Sequence, residues 1–504
     1  MKNKLLITLS LLIGILTFNL NTAKSDTLTV TSLESVGAPS AAECSLESGN
    51  NYNCTTLQDA FEYANTQAPG ADNLFEIVFA SDLNGTIALN QGGIDIDTLD
   101  NSTLVTLNGD HRITIDAQLA NYIFAVANSN PFDLSAIHLS RGIIASDDGG
   151  CLWFGGGNVT INITEVTFSD CEAHNGGAIG TINSPNGTIN ISKSTFTGNK
   201  ASSLGGAIYS QLGGEFNISQ SNFSGNNEAQ AAGALFLGNT VTANITNSTI
   251  VNNKAINSGG GLWFMQGDLT LTYTTIHHNT GSSNLHALPT LSVTVRNTIV
   301  GNSGEGGSSC TTDTPFISEG GNLFITTDCI DGTGTQDQII DPLFDTFDAD
   351  LGIFKLQSTS LALGNAIDIP GITEDQLGNP RNPGASTSGA YEVYCGNGVV
   401  DQGEACDGGD SCTASCEEIV EDPIASCGDG IVQTDEECDE GTDNGIEGGL
   451  CTAGCLNVIT EEPNPSSSTS GGCSLSSAPV NASLYLAFLS LVGLLGLRRF
   501  KLKR

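Results

Sequence analysis

The sequence has few positive charges. Sixteen lysines and arginines stand against 55 aspartates and glutamates in 504 residues, which gives a formal net charge of −39. Binding to phosphate groups requires clustered cations, so this composition argues against nucleic acids and anionic membrane surfaces as partners. Charged residues make up only 14% of the chain. That fraction is too low for a disordered polar protein and suits a folded, acidic and soluble surface.

The central part of the sequence also lacks the apolar periodicity of amphipathic helices. Short runs that alternate apolar and polar residues take its place, for example Thr188–Ser192 and Glu215–Ser219. Such alternation predicts strands with one buried face. Glycine, with 61 residues, and asparagine and serine separate these runs. The pattern therefore favours an all-β, turn-rich fold.

One phrase returns at a constant period, with an apolar residue three positions before an asparagine. The asparagines lie 27, 27, 26 and 23 residues apart; they are Asn199, Asn226, Asn253, Asn279 and Asn302. A second phrase, two small residues that precede an apolar pair, keeps the same period from Gly149 to Leu262. Each period holds about three strands, which predicts a parallel β-helix in which one repeat forms one coil. The asparagines would form a hydrogen-bonded ladder, and the glycines would provide bends with positive φ.

These repeats resemble those of the polymorphic outer-membrane protein family, which are right-handed β-helices on bacterial surfaces. The resemblance rests on the Gly-Gly-Ala-Ile and Phe-x-x-Asn phrases over residues 145–305. Together with the strand pattern, it implies a right-handed parallel β-helix for residues 26–394.

A short helix is predicted near residues 56–66, ahead of the repeats. Thr56 and Asp59 occupy capping-box positions, and Leu57, Phe61 and Ala64 mark one apolar face. Such a helix would cover the open end of the solenoid, whose strand edges would otherwise be exposed.

The phrase from Cys54 to Phe61 is similar to the start of bacterial surface proteins whose β-helix opens with Cys-Ser-Leu-Arg-Glu-Ala-Ile. Asp341–Phe344, Asn365–Asp368 and Gly389–Glu392 also resemble phrases of that family. The acidic residue that usually precedes the last phrase is replaced by Thr387-Ser388. The resemblance implies a β-helix on a secreted, anchored protein and does not specify an activity.

Both ends of the chain carry targeting patterns. Lys2 and Lys4 precede an apolar run, which predicts a secretory signal peptide over residues 1–25. At the other end, the apolar residues 482–497 precede a basic cluster, which predicts a transmembrane segment held at the cytoplasmic face. Gly471, Gly472 and Cys473 stand just before it, after a proline- and serine-rich linker at 457–470.

The order of Gly-Gly-Cys, apolar segment and basic cluster over residues 471–504 resembles the C-terminal sorting signals of Gram-negative bacteria, including the MYXO-CTERM and JDVT-CTERM types. The resemblance implies a membrane-embedded sorting protease as a partner, cleavage near Cys473 and display at the cell surface on the outer membrane, after transient insertion in the inner membrane. The alternative is a plain C-terminal anchor that is never cut. Cys473 is the unpaired member of 15 cysteines and hence a candidate attachment point.

The other fourteen cysteines are predicted to form disulfides, since export exposes them to oxidising conditions. Three pairs precede residue 330: Cys44 with Cys54, Cys151 with Cys171, and Cys310 with Cys329. Two four-cysteine units follow at residues 395–456: Cys395, Cys406, Cys412 and Cys416, then Cys427, Cys438, Cys451 and Cys455. Zinc is the competing interpretation, but no histidine lies nearby. The units resemble the cysteine-rich repeats of myxobacterial and other bacterial surface proteins.

Calcium is the one cofactor that the sequence suggests. The carboxylates Asp407, Asp410, Asp439 and Asp443 could offer the oxygen ligands that calcium prefers. The alternative is that these residues only form acidic turns.

Many β-helices are polysaccharide lyases or glycosidases, so an enzymatic role is the main alternative. Asp147-Asp148 is the best carboxylate pair for glycoside hydrolysis, but the Gly-His-Gly and Arg-x-Lys phrases of polygalacturonases are absent. We interpret the pair as a solvated turn. His277 and His278 should point in opposite directions in a strand and so should not share a metal ion.

Trp153 and Trp263 occupy equivalent places in the repeat, opposite their Leu and Phe neighbours, which predicts that both face outward. Outward aromatic rings can stack on sugars or simply pack. The sequence therefore predicts a secreted, surface-anchored β-helix with an adhesive or structural role and a glycan as the candidate ligand. The alternative is a carbohydrate-active enzyme with an unrecognised site.

Overall fold

A computed structural model describes residues 25–393 except 68–73, 99–102, 128–129, 156, 159, 183–186, 289–291, 305, 313 and 332–333; it also describes 406, 407, 437, 438 and 456. The chain divides into two compact units, residues 1–420 and 421–504. The fold below belongs to the first unit. Residues 1–24, the predicted linker, the sorting tail and most of both cysteine-rich units lie outside the described residues.

The described chain is a parallel β-solenoid of about ten turns, which confirms the predicted all-β class. Neighbouring turns pair in register: Ile189 lies beside Ile161, and Phe216 beside Ile189. The constant repeat length explains this register, because each turn returns the same residue type to the same place on the coil.

The strands form four parallel stacks, named sheets A, B, D and C in the order in which the chain visits them within a turn. Sheet A contains Cys44–Ser48, Asn51–Cys54, Asp26–Val30, Leu74–Phe79, Leu104–Asn108, Phe132–Ser135, Thr160–Thr164, Thr188–Ser192, Glu215–Ser219, Val241–Thr246, Gly267–Thr272, Ser292–Arg296 and Ile317–Ser318. Sheet B contains Gly85–Ala88, Ile113–Asp116, His138–Ser140, Thr167–Ser169, Thr195–Thr197, Asn222–Ser224, Thr249–Val251, Thr275–His277, Ile299–Val300, Leu323–Phe324 and Gln338–Ile339. In sheet A, the strand at residues 44–48 pairs antiparallel with the strand at 51–54.

Sheet D is short and contains Ile143–Asp148, Glu172–Asn175, Lys200–Leu204, Ala229–Ala231 and Ala255–Ser258. Sheet C contains Ile94–Ile96, Phe124–Val126, Leu152–Gly155, Ile179–Ile182, Ile208–Leu212, Leu235–Asn239, Leu262–Phe264, Ser283–Ala287 and Ser308–Thr312. The middle turns thus have four strands where about three were expected. Sheet D escaped prediction because its strands are short and its register shifts interrupt the alternation.

The core lies inside the coil and is built of columns of identical or similar side chains. Phe168, Phe196 and Phe223 stack with ring centroids 4.7 and 4.6 Å apart and planes within 8° of parallel. All three side chains are fully buried. Burial of large rings at each turn supplies the main stabilisation of such a solenoid.

The corner between sheets A and B places one residue per turn in the left-handed region. These residues are His111, Ala136, Glu165, Lys193, Gln220, Asn247, Tyr273 and Asn297. The glycine pairs lie at the corner between sheets D and C. The first glycine of a pair has positive φ, as at Gly176, and the second allows close backbone packing, since a Cβ on Gly177 would lie 2.4 Å from the carbonyl oxygen of Gly206.

The only α-helix among the described residues is Leu57–Thr66, with Thr56 as its N-cap and a capping box completed by Asp59. Its Phe61 packs on Phe124 and Phe132 of the first turns, with ring centroids 5.5 and 6.3 Å away. Short 3-10 helices lie at Ala41–Glu43 and Thr327–Cys329. The α-helix thus packs on apolar side chains at the N-terminal end of the coil.

After the last turn, residues 341–393 fold back along the solenoid; we call them the return segment. It begins with the antiparallel hairpin Phe344–Asp348 and Ile353–Leu356. Its backbone bonds to sheet B and the preceding corner, for example Ala390 N–H to Thr275 Oγ1 at 3.0 Å and Gly389 N–H to the carbonyl of Asn297 at 2.7 Å. The return segment therefore covers the outer face of sheet B from about Asn222 onward.

The three predicted disulfides of the solenoid are present. Cys44 bonds to Cys54, Cys151 to Cys171 and Cys310 to Cys329. Cys406 and Cys438, the two described cysteines of the C-terminal units, are each disulfide-bonded as well. The remaining cysteines of those units, and Cys473, lie outside the described residues.

Candidate functional site

An asparagine ladder runs inside the corner between sheets B and D. The Nδ2 groups of Asn199, Asn226 and Asn253 each donate to the Oδ1 of the next asparagine at 2.9 Å. Each also donates to a strand carbonyl one turn back, as Asn226 does to Phe196 at 3.0 Å. These side chains are fully or almost fully buried. Their role is structural, because they satisfy backbone groups that the turn leaves unpaired.

The end of this ladder differs from the prediction. Asn279 donates to Asn284 Oδ1 at 3.1 Å, and Asn284 then donates to the carbonyl of Gly301 at 2.8 Å. Asn302, the predicted last member, is exposed. The turn from Asn279 to Asn302 is the shortest of the series, and Asn284 of sheet C takes the ladder position.

A second amide ladder, which sequence analysis missed, lies on the outer face of sheet A. Asn190 donates to Asn162 at 2.8 Å, Asn217 to Asn190 at 3.0 Å, and Asn244 to Asn217 at 3.0 Å. Asn162 donates in turn to Asp133 at 2.6 Å. The sequence signal that could have predicted this ladder is the asparagine in the middle of Thr188–Ser192 and of the matching strands.

The outer face of sheet C carries a row of rings on successive turns, which we call the aromatic strip: Tyr209, Phe236, Trp263 and His286. The ring centroids are 5.4, 6.0 and 4.5 Å apart along the row. Leu204 and Met265 pack against its sides. Tyr209 and Phe236 keep only 7% and 6% of their surface exposed, whereas Trp263 and His286 are half-buried. The accessible ring surface of the strip thus belongs mainly to Trp263 and His286.

Trp153 also faces outward, on the same column as the strip. Gly180 lies between it and Tyr209, so the ring row is interrupted by one turn. Both tryptophans of the chain therefore lie on one face of the solenoid and are half-buried.

The interpretation of Asp147-Asp148 as a solvated turn is wrong for Asp148. Asp147 is exposed, but Asp148 keeps only 6% of its surface exposed and accepts a hydrogen bond from Asn175 at 2.7 Å. Burial raises the pKa of the Asp148 carboxyl, and the amide of Asn175 opposes that rise. The two carboxylates therefore occupy different environments.

Two clefts of the described chain each have a single carboxylate among their lining residues. The larger, of about 680 Å³, lies beside sheet D and is lined by Ser202, Gly225, Asn227, Glu228, Asn252, Lys254 and Ile256. The smaller, of about 370 Å³, lies on the open part of sheet B and includes His111, Arg112, His138 and Glu165. Glycoside hydrolysis by the usual mechanisms needs two carboxylates. Neither set of lining residues supplies a second one.

The charged and histidine side chains of the smaller cleft all have polar partners within or beside it. His111 Nε2 lies 3.1 Å from Glu165 Oε2. The Arg112 guanidinium bonds to Asp110 at 2.9 Å and to backbone carbonyls, including that of Ser81 at 3.1 Å. His138 Nε2 lies 2.7 Å from Ser169 Oγ, and burial lowers the pKa of His138. The cleft is therefore polar and nearly balanced in charge.

A buried ion pair lies within the return segment. Arg381 Nη1 lies 3.0 Å from Glu392 Oε2, and both side chains are almost completely buried. Arg381 also donates to Asn247 at 2.7 Å and lies 3.7 Å above the ring of Tyr273. Burial raises the pKa of Glu392, and the adjacent Arg381 opposes this. Both members of the pair belong to the return segment, and the contacts of Arg381 with Asn247 and Tyr273 tie this segment to the corner between sheets A and B.

The histidine pair does not form a chelate. His277 lies under the return segment, with ring centroids 4.2 Å from Phe344 and 4.7 Å from Phe354, and burial lowers its pKa to about 3. His278 is exposed at the next corner and bonds to Asn252 at 2.8 Å.

No group of three or more potential metal ligands occurs among the described residues. Of the four candidate calcium ligands, Asp407 is described and Asp410, Asp439 and Asp443 are not. Nor does any described helix have the length and apolar character needed to span a bilayer; the predicted segment at 482–497 is outside that part of the chain. Comparisons of the sequence with protein-family models, of the sequence with curated proteins, and of the fold with solved structures found no match.

Proposed function

We propose that this protein is a glycan-binding adhesin: a right-handed β-helix carried to the surface of a Gram-negative bacterium on a disulfide-rich stalk. The observation that carries the proposal is the aromatic strip on sheet C. Its two half-buried rings, Trp263 and His286, are suited to stacking on the apolar faces of sugar rings, and a rigid scaffold lowers the entropic cost of holding them in place.

The strip also fits an extended ligand better than a compact one. Its rings repeat once per turn, about 4.8 Å apart along the solenoid axis. A ligand that lies along the axis can contact Trp263 and His286 on adjacent turns at once, so weak individual contacts add up. Trp263 is the central candidate contact, because it is the larger of the two half-buried rings of the strip.

Intrinsic fluorescence tests this proposal, because the chain has only two tryptophans and both lie on the sheet C face. In Trp153→Phe, Trp263 is the sole tryptophan and reports directly on the strip. Titration with soluble neutral and acidic oligosaccharides should shift its emission. Trp263→Ala lacks this reporter, so its affinity is measured by calorimetry; it should be weakened up to about tenfold, the loss expected for one stacked ring.

Trp153→Phe is the matched control, since Gly180 separates Trp153 from the strip. It should bind as the unmodified protein does. Equal affinities for Trp263→Ala and the unmodified protein, or release of shorter sugars during the titration, would contradict the adhesive role. The second result would favour the carbohydrate-active enzyme.

Surface anchoring forms a separate part of the proposal and rests on the sequence pattern at Gly471, Gly472 and Cys473. Intact-mass measurement on protein from its native host should show loss of the apolar tail and added mass on Cys473. Cys473→Ala should lack the added mass. An uncut tail in both proteins would refute processing by a sorting protease.

A further inference from the structure

The outer face of sheet A presents a regular polar surface that the glycan-binding strip does not use. Its four central strands are Thr160–Thr164, Thr188–Ser192, Glu215–Ser219 and Val241–Thr246. Each turns three polar side chains outward, and four strands with three residues each make twelve. They are Thr160, Asn162, Thr164, Thr188, Asn190, Ser192, Glu215, Asn217, Ser219, Thr242, Asn244 and Thr246. We call these twelve residues the amide face.

The amide face is nearly free of charge in a strongly acidic chain. Eleven of its twelve residues are asparagine, threonine or serine, and the one charged residue is Glu215. The whole chain has 55 acidic residues. A surface without charge can bind neutral hydroxyl groups without the cost of desolvating ions, a cost that isolated carboxylates would impose.

The amide face is also rigid. Each of its central asparagines uses one N–H and one lone pair in the ladder, as Asn217 does with Asn190 and Asn244 at 3.0 Å each. An amide has two N–H donors and two lone pairs on its oxygen, so one donor and one acceptor per asparagine remain for a partner. Thr164 and Ser192 are likewise joined at 3.1 Å. Among the described residues, the recorded hydrogen bonds of these side chains stay within sheet A.

The remaining donors and acceptors form a lattice. They repeat about every 4.8 Å from turn to turn and about every 6.7 Å along a strand, because outward residues alternate. A single flexible chain would fill one column only. A partner that presents rows of hydroxyls in two dimensions can match several columns at once without losing conformational freedom of its own.

We propose that the amide face docks onto the ordered surface of a packed, neutral polysaccharide. The proposal extends the glycan-binding role and shares its ligand class, but it uses different residues on a different face. The aromatic strip takes a single chain, whereas the amide face takes a fibre surface.

Microcrystalline cellulose and chitin particles are suitable probes, with the full chain as the binding protein. Glu215→Thr removes the one charge of the face and introduces the residue found at the equivalent Thr188 and Thr242 positions. It should bind several-fold more tightly than the unmodified protein to one or both probes. Glu47→Thr, an exposed residue outside the four central strands, makes the same change in net charge and should have no effect.

The converse variant is Asn190→Asp with Asn217→Asp, which places two carboxylates in the middle of the face. Binding should fall about tenfold, since each new carboxylate must lose water on docking. Asn302→Asp with Asn382→Asp is the matched control, with the same change in net charge at two exposed sites off the face. Circular dichroism should show that each variant keeps its β-structure.

Three results would overturn the inference. The first is no binding of the unmodified protein to either particle. The second is equal binding by Glu215→Thr and Glu47→Thr, which cannot be ascribed to misfolding because threonine is native at this column. The third is binding that Trp263→Ala abolishes while the sheet A variants leave it unchanged. That third outcome would leave the proposed role of the aromatic strip intact, so the two proposals fail separately.

Discussion

The outer face of sheet B has two halves that share one backbone geometry and differ in what covers them. From Thr86 to Thr195 the face is open and borders a polar cleft. From Asn222 to Ile299 the return segment lies on it. The corner that leads into sheet B has a residue with positive φ in turns of both halves, such as Glu165 in the open half and Asn247 in the covered half.

The corner side chains account for the difference. In the covered half they bond to the backbone of the return segment: Gln220 to Asp375 at 2.9 Å, Asn247 to Glu374 at 2.8 Å, and Asn297 to Ile367 at 2.7 Å. In the open half the equivalent residues Glu165 and Lys193 are charged and exposed. The repeat thus places a residue at the same corner in every turn. The identity of that side chain determines where the return segment docks.

Loss of Arg381 should reduce the difference between the two halves of sheet B more than any other change considered. Arg381→Ala leaves Glu392 buried without its cation, and removal of one partner from a buried pair costs about 3–5 kcal/mol. We expect the return segment to detach and the covered half to resemble the open half. Hydrogen exchange should rise in residues 344–393 and at Thr275–His277, while Thr167–Ser169 in the open half keeps its protection.

The double variant Arg381→Met with Glu392→Leu tests whether the charge or the shape matters. Replacing both partners by apolar residues of similar volume is often neutral or stabilising. The double variant should therefore retain most of the protection that Arg381→Ala loses. Uniform loss of protection in both halves of sheet B by Arg381→Ala would show that the return segment supports the whole solenoid.

The solenoid was predictable because its signals are local and repeated. Alternation in runs such as Glu215–Ser219 defines one strand, and recurrence at a constant period defines the stacking. The disulfide between Cys151 and Cys171 was also predicted, by pairing the six cysteines ahead of residue 330 in sequence order. The structure adds that Cys171 stands at the ladder position, since its N–H donates to Asn199 Oδ1 at 3.1 Å.

Apart from the outer amide ladder, the features that escaped prediction depend on contacts without a local signal. Arg381 and Asn247 are 134 residues apart in sequence, and no motif near either residue predicts their contact. Asn284 occupies the ladder position that was predicted for Asn302, because this turn is shorter than the others. The sequence repeat still includes Asn302, but the shortened turn places its side chain outside the ladder. The aromatic strip was predicted only in part. The sequence singled out Trp263, but its alignment with Tyr209 and Phe236 requires the register of sheet C.

Histidine titration offers a finer test of the same comparison, because each half of sheet B carries one histidine on its outer face. His277 in the covered half has a pKa lowered to about 3 by burial, with a smaller contribution from His278. An unfolded histidine has a pKa of about 6.5. The unfolded state therefore binds the proton first as pH falls. The stabilisation by neutral His277 is fully present above about pH 6.5 and decreases progressively towards about pH 3.

At pH 5 this difference in the pKa of His277 between the folded and unfolded states should lower the free energy of unfolding of the covered half by about 2 kcal/mol, since one pKa unit corresponds to about 1.4 kcal/mol. His277→Phe, whose ring can pack between Phe344 and Phe354, should lose that part of the acid sensitivity, whereas His138→Phe in the open half should retain it. The measurement is hydrogen exchange at Thr275–His277 between pH 7 and pH 5, corrected for the intrinsic exchange rate. Parallel profiles for His277→Phe and the unmodified protein would contradict the prediction. Because the return segment is what buries His277, Arg381→Ala should bring its pKa back towards 6.5, so that one histidine reports whether the two halves of the face still differ.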